Sequence, residues 1–237
     1  MSFFGDMWKG HVLAFELPLA KLPGGMTGLR YVAAFALAGP GLLWAGRKAL
    51  SAWDGADALT ARLVLAGALL MGAVLIAAAL VRPGWAAMGL RSPGGWTRRE
   101  TLYALQVVPA AAVVFFLIFR DPIEAAIDAQ GLMGFLVFHL AFGLAWGFYQ
   151  EFTYRGLLQT ALSTWLGPWA GVLLANLAFT FGTLHASIWA GAAADPQQLW
   201  LFLPVFGIGL VFGTIFQRSG NLWLPTIFHG LWPLNMF

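Results

Sequence analysis

Three short stretches of this chain place proton-moving side chains in an otherwise apolar sequence. The first is Gln150-Glu151-Phe152-Thr153-Tyr154-Arg155-Gly156, the second ends in His185, and the third ends in His229, with Asn235 six residues on. Polar and ionisable side chains inside apolar spans are costly, so each is a functional candidate. Glu151 and Arg155 stand four apart, in the order that favours an ion pair on one helical face. Gln150 is turned about 100° from Glu151 on that helix, which leaves it free to face the histidines. An imidazole takes up or gives a proton near neutral pH, the requirement for general acid–base chemistry. Phe181 and His185 are also four apart, so the phenyl ring is expected beneath the imidazole.

The surroundings of these residues are set by composition. Of 237 residues, 60% are apolar or aromatic in the set AVILMFWYC and 10% are charged, with 20 Phe and 12 Trp; the mean hydropathy is +0.77. A soluble domain carries roughly a quarter charged residues, so a soluble globule and a disordered chain are both excluded. The 13 Lys and Arg are scattered between apolar runs and leave a net charge of only +3, which argues against a nucleic-acid partner. With no cysteine there is no disulfide, thiolate metal site or Cys nucleophile. The apolar runs are too long for barrel strands and lack period-two alternation. The expected class is an all-α integral membrane protein in the lipid bilayer, with transmembrane helices around an intramembrane polar cavity.

The chain divides into three parts. Residues 1–27, mixing Asp6, Lys9, His11 and Lys21 with Phe3, Phe4, Trp8 and Phe15, lack the unbroken apolar core of a signal peptide and read as an amphipathic, interfacial N-terminal segment. Residues 28–130 hold N-terminal helices without a recognisable motif, and residues 131–237 hold the polar clusters. About seven spans are expected, within a range of six to eight: 29–46, kinked at Gly39-Pro40-Gly41, then 62–81, 101–119, 131–165, 169–186, 198–217 and 221–236. A short acidic connection with Asp121, Glu124 and Asp128 precedes the fourth. Gln150 lies 17 residues before the Gly167 turn and His185 lies 18 after it. Both therefore sit about 25 Å from that turn in an antiparallel pair. His229, nine residues past Gly220, reaches roughly 13 Å from its own turn. The three levels match if the 166–168 turn projects beyond the hydrocarbon. Lys9, Lys21, Arg30, Arg82, Arg91, Arg98, Arg99 and Arg218 gather on one side, which the positive-inside rule makes cytoplasmic together with the N-terminus; Arg47, Lys48, Arg62 and Arg120 lie on the other, diluted by acidic residues, and 47–62 alone runs the other way.

Other residues have ordinary readings. His11 and His139 have no motif partner and read as plain buried or interfacial rings. Asn176 reads as an interhelical hydrogen-bond partner, and Gly209 with Gly213 as a small-residue packing contact. Trp146, Phe148, Trp223 and Trp232 line a groove or serve packing alone. Two histidines and a carboxylate suggest a metal, but HExxH is absent and Glu151 is engaged by Arg155, so neither a metal nor a cofactor is expected.

The three stretches resemble the motifs of the CPBP family, the CAAX prenyl endopeptidase and bacteriocin-processing proteins. QEFTYRG at 150–156 is similar to its EExxxR motif, FGTLH at 181–185 to its FxxxH, and NLWLPTIFHG at 221–230 to its third, histidine-ending motif after a short turn. The resemblance covers about 131–236, with the motifs in order. It implies a glutamic-type intramembrane protease cleaving near the C-terminus of a membrane-bound protein or peptide substrate. By the family's pattern, the first Glu and His185 would activate a water, while His229 and an Asn would hold the developing oxyanion. Glu151 and Arg155 would be the supporting pair. Gln150 stands where the family has the first Glu, and a neutral amide cannot act as a general base. The chain is then either an inactivated Glu-to-Gln form of an enzyme or a natural relative with lost or altered catalysis. The family's Asn position holds Pro233, and Asn235 reaches the site only if Pro233 breaks the helix. Bacterial members are linked to peptide maturation, bacteriocin self-immunity and sorting-helix processing, eukaryotic and archaeal ones to prenylated CAAX tails. The Ala-, Gly- and Trp-rich composition suits a bacterial plasma (inner) membrane. The alternatives are a non-catalytic membrane scaffold or binder and a small transporter, which would want paired broken helices in two related halves.

Overall fold

A computed structural model describes residues 19–231 apart from 21, 23–24, 52, 54–57 and 82–83. Most of the 1–27 segment, the end of the seventh expected span and Asn235 lie outside the described residues. Among those described, every regular element is helical. Six helices are long and apolar enough to cross a membrane: Met26–Ser51, Thr60–Val81, Arg98–Ile118, Arg120–Leu166, Pro168–Ala192 and Pro196–Ser219. This multi-pass architecture sits at the lower end of the expected count. The seventh expected span, 221–236, is an eight-residue helix over its described part, Trp223–Gly230.

Helix α1 runs Gly25–Ala36, widens to a π-helix over Leu37–Gly41, and continues as Leu42–Ser51. Pro40 has no N–H and cannot continue an α-helical ladder, which accounts for the widening. The Tyr149 hydroxyl donates to both the Ala38 and Gly39 carbonyls there, at 3.0 Å each. Helix α2, Ala58–Val81, packs between α1 and the fourth helix. Helix α3 runs from Arg98 to Ile118 through a π-helical turn at Tyr103–Val107. It starts at a capping box in which Thr97 and Glu100 satisfy each other's backbone N–H.

Helix α4 comprises Arg120–Glu151, a π-helical stretch Phe152–Gln159, and Thr160–Leu166. The acidic connection expected before residue 131 is itself helical. The interruption falls instead at Gly131, whose φ of 73° is left-handed and open to glycine without strain. Gly167 and Pro168 turn the chain into α5, Pro168–Phe181. Gly182 ends α5, a 3-10 turn Thr183–His185 follows, and α6 is Ala186–Ala192. Helix α7, Phe202–Ser219, packs on α5, and the short α8, Trp223–Gly230, packs on α4.

Glycine makes that last contact possible. A Cβ on Gly143 would collide with the Gly230 carbonyl, and one on Gly147 would stand 2.8 Å from the Gly230 nitrogen. Close backbone approach at small residues is how helices associate where lipid is as apolar as the side chains. It brings the end of α8 against the turn of α4 that leads into Glu151.

Candidate functional site

Every residue of the π-helical stretch Phe152–Gln159 is buried. Such stretches leave the regular ladder and often occur at functional sites. Glu151 and Arg155, at its start, are 0% and 1% exposed. Arg155 Nη1 lies 3.4 Å from Glu151 Oε1, the expected ion pair. Arg155 Nη2 also donates to the Gly209 carbonyl at 3.1 Å, and its guanidinium sits 4.2 Å above the Phe179 ring. Gly209 gives Asn176 room there, since a Cβ would meet Asn176 Oδ1 and make it shift. Asn176 makes its expected interhelical bond, Nδ2 donating to the Phe206 carbonyl at 2.9 Å. The Gly213 carbonyl accepts from Gln159 Nε2 at 2.9 Å, so the small-residue contact also supplies acceptors.

His229 arrives from the last turn of α8, and its Nδ1 donates to Glu151 Oε1 at 2.8 Å. Glu151 thus carries two cationic or donor partners on one oxygen. Its Oε2 has no hydrogen-bond partner among the described residues. His185 arrives from the 3-10 turn, and its Nδ1 lies 2.9 Å from the Phe179 carbonyl. A carbonyl only accepts, so Nδ1 carries the proton and the lone pair of the neutral ring is on Nε2. Both imidazoles meet the Phe179 ring edge to face, at centroid distances of 5.0 Å for His185 and 6.1 Å for His229. Phe212 closes on His229 from α7 at 5.1 Å. Gln150, one residue before Glu151, is buried at 3% exposure.

Glu151, Arg155, His185 and His229 are therefore gathered around Phe179. Phe181 is a correction. It lies against Phe202, Phe206 and Trp189, away from His185. The four-residue spacing holds only on a continuous helix, and the chain breaks at Gly182, where a Cβ would strike the Ala178 carbonyl. Phe179 takes the expected place, six residues before His185. The only sequence signal for it was the glycine that ends the helix. The Glu151–His229 bond was likewise unread, because it joins residues 78 apart. Trp223 stacks on Phe148 at 5.1 Å, and Trp146 continues the ring ladder of α4 from Phe142 to Tyr149. His139 stacks on Phe135. Among the described residues no group of three or more His, Asp or Glu side chains is disposed to hold a metal ion.

Residues 132–234 match the family model of type II CAAX prenyl endopeptidase Rce1-like proteins. The match begins one residue after the Gly131 break and takes in all three polar stretches. Over this region, less than half of the chain, it is similar to the CAAX-protease-like membrane proteins of the CPBP family. No curated protein and no solved structure matches the chain.

Proposed function

We propose that this chain is an intramembrane endopeptidase of the CPBP type, acting on a peptide bond near the C-terminus of a membrane-bound protein or peptide. The observation that carries the reading is the meeting of a buried histidine, His229, and a half-buried one, His185, with a buried Glu–Arg pair on one ring, Phe179. In this mechanism water is polarised between position 150 and His185, whose Nε2 lone pair accepts its proton. His229 is oriented through Nδ1 by Glu151 and would donate through Nε2 to the tetrahedral oxyanion, with Asn235 as a second donor. Arg155 holds Glu151 in place.

Gln150 keeps the size of Glu but accepts no proton, so the chain as it stands binds substrate and turns it over slowly or not at all. The second reading, a substrate-binding membrane scaffold without catalysis, is favoured by this one residue. Cleavage of a membrane-inserted peptide by the chain and by Gln150→Glu, side by side, tests both. Activity in the variant, resistant to chelators and thiol reagents, supports the protease. No gain in the variant against a confirmed substrate leaves the binder. The basic residues support a cytoplasmic N-terminus, and composition supports a bacterial inner membrane.

A further inference from the structure

Arg47 reads in sequence as a charge on the wrong side for the positive-inside rule. In the fold it has a local task. It projects from the second half of α1, in the part of the chain that no family motif covers, to the turn that carries His185. Its Nη1 donates to the Thr183 carbonyl at 3.1 Å and its Nη2 to the Leu184 carbonyl at 3.3 Å. The planar fork of a guanidinium suits two successive carbonyls, whereas an ammonium is a single point charge.

That turn needs holding. It is one 3-10 turn of three residues between two helices, closed by His185 N–H donating to Gly182 O at 3.3 Å. Such turns have poor hydrogen-bond geometry and little stability of their own. The imidazole is anchored on one side alone, by Nδ1 to the Phe179 carbonyl of the preceding helix. Rotation of the turn would carry His185 off Phe179, and Arg47 opposes it by gripping the backbone from the opposite element. We propose that Arg47 is a positioning residue for His185. The clamp stands on geometry alone; its catalytic consequence rests on the protease reading above.

The test uses the full-length protein in lipid nanodiscs with Arg47→Ala, Arg47→Gln and Arg47→Lys, each also combined with Gln150→Glu. Amide exchange of peptides covering 183–189 is followed against a 143–155 reference. Arg47→Ala is expected to speed exchange at 183–189 about tenfold, the order set by losing charge-assisted hydrogen bonds, with the reference unchanged. Lys, bonding one carbonyl at a time, falls between Ala and the parent. In the Gln150→Glu background, kcat for a membrane-inserted peptide is expected to fall about 10- to 100-fold, the scale of a small misplacement of a catalytic group, with KM within about twofold. Unchanged exchange in folded Arg47→Ala overturns the clamp, and unchanged kcat in an active background overturns the positioning role. Lys indistinguishable from the parent also overturns it, because the two-carbonyl fork is then not the cause. Where Arg47→Ala does not fold, Arg47→Gln, which keeps a donor without the charge, is read by the same criteria. If Gln150→Glu cleaves nothing, the protease reading fails while the exchange experiment still decides whether Arg47 holds the turn.

Discussion

Two Glu–Arg pairs with a buried carboxylate stand among the described residues, and they distribute their partners differently. Glu100, at the start of α3, engages each oxygen separately: Oε2 accepts from the Thr97 N–H at 2.6 Å and Oε1 faces Arg91 Nη2 at 3.1 Å. Arg91 also donates to the Gly220 and Ser219 carbonyls, and its own carbonyl accepts from Trp223 Nε1 at 3.0 Å. With Leu222 N–H bonded to the Gly89 carbonyl, this knits the 84–97 connection to the turn before α8. Glu151, by contrast, puts both its partners on Oε1 and leaves Oε2 unpartnered among the described residues. Burying a polar atom without a partner costs free energy, so a protein built only for stability would fill that position. The difference separates a structural lock, whose carboxylate meets partners with both oxygens, from a pair that leaves one oxygen open and, on the proposed function, stands beside the chemistry. It also shows how the two cooperate, since the lock anchors the beginning of the helix whose end presents His229.

The sharpest break of this comparison is at position 150, beside the open pair. Gln150→Glu is expected to raise cleavage of a membrane-inserted peptide by about 10²–10⁴-fold, the usual contribution of a general base. Quantifying product by mass spectrometry checks it, and an unchanged rate would detach Gln150 from the chemistry. Next in size is the pair itself. Glu151→Ala strands Arg155 in a dry environment and should destabilise the fold by about 3–5 kcal/mol, read as a lower melting temperature in detergent, together with loss of cleavage in the Gln150→Glu background. Glu100→Gln should lower the melting temperature too, yet leave KM and the cleavage position of that active variant as they were. A shift in cleavage position would mean the lock is part of the site. A smaller effect is expected at the ring that the histidines share. Phe179→Leu takes three carbons out of a buried position and should cost about 1–3 kcal/mol in stability, and it removes the ring that both imidazoles and Arg155 contact. Turnover in the active background should therefore fall further for Phe179→Leu than for Phe181→Leu. Smallest of all, Thr97→Ala removes one cap and should cost about 1 kcal/mol, with turnover unaffected.

Membrane class, helical architecture and the identity of the three polar stretches were legible in the linear chain, because each rests on local quantities. Apolar run length, the four-residue spacing of Glu151 and Arg155, and the Gly-Pro turn at 167–168 are readable without knowing what packs on what. The helical segment at 120–130 is hidden in the linear chain because its charges resemble a connection, while the break is a single glycine at 131. The four-residue spacing of Phe181 and His185 does not survive Gly182, where the helix ends. The choice of Phe179 depends on the angle at which the chain leaves α5. The Glu151–His229 bond depends on how closely α4 and α8 cross at their glycines. The reach of Arg47 to the His185 turn spans 136 residues and follows from α1 lying beside the end of α5. Sequence alone determined which side chains were too polar for their surroundings, since that is a property of each residue and its neighbours. Which of those side chains share a proton, a ring or a carbonyl was decided by tertiary structure, because those contacts join helices whose approach no local pattern specifies.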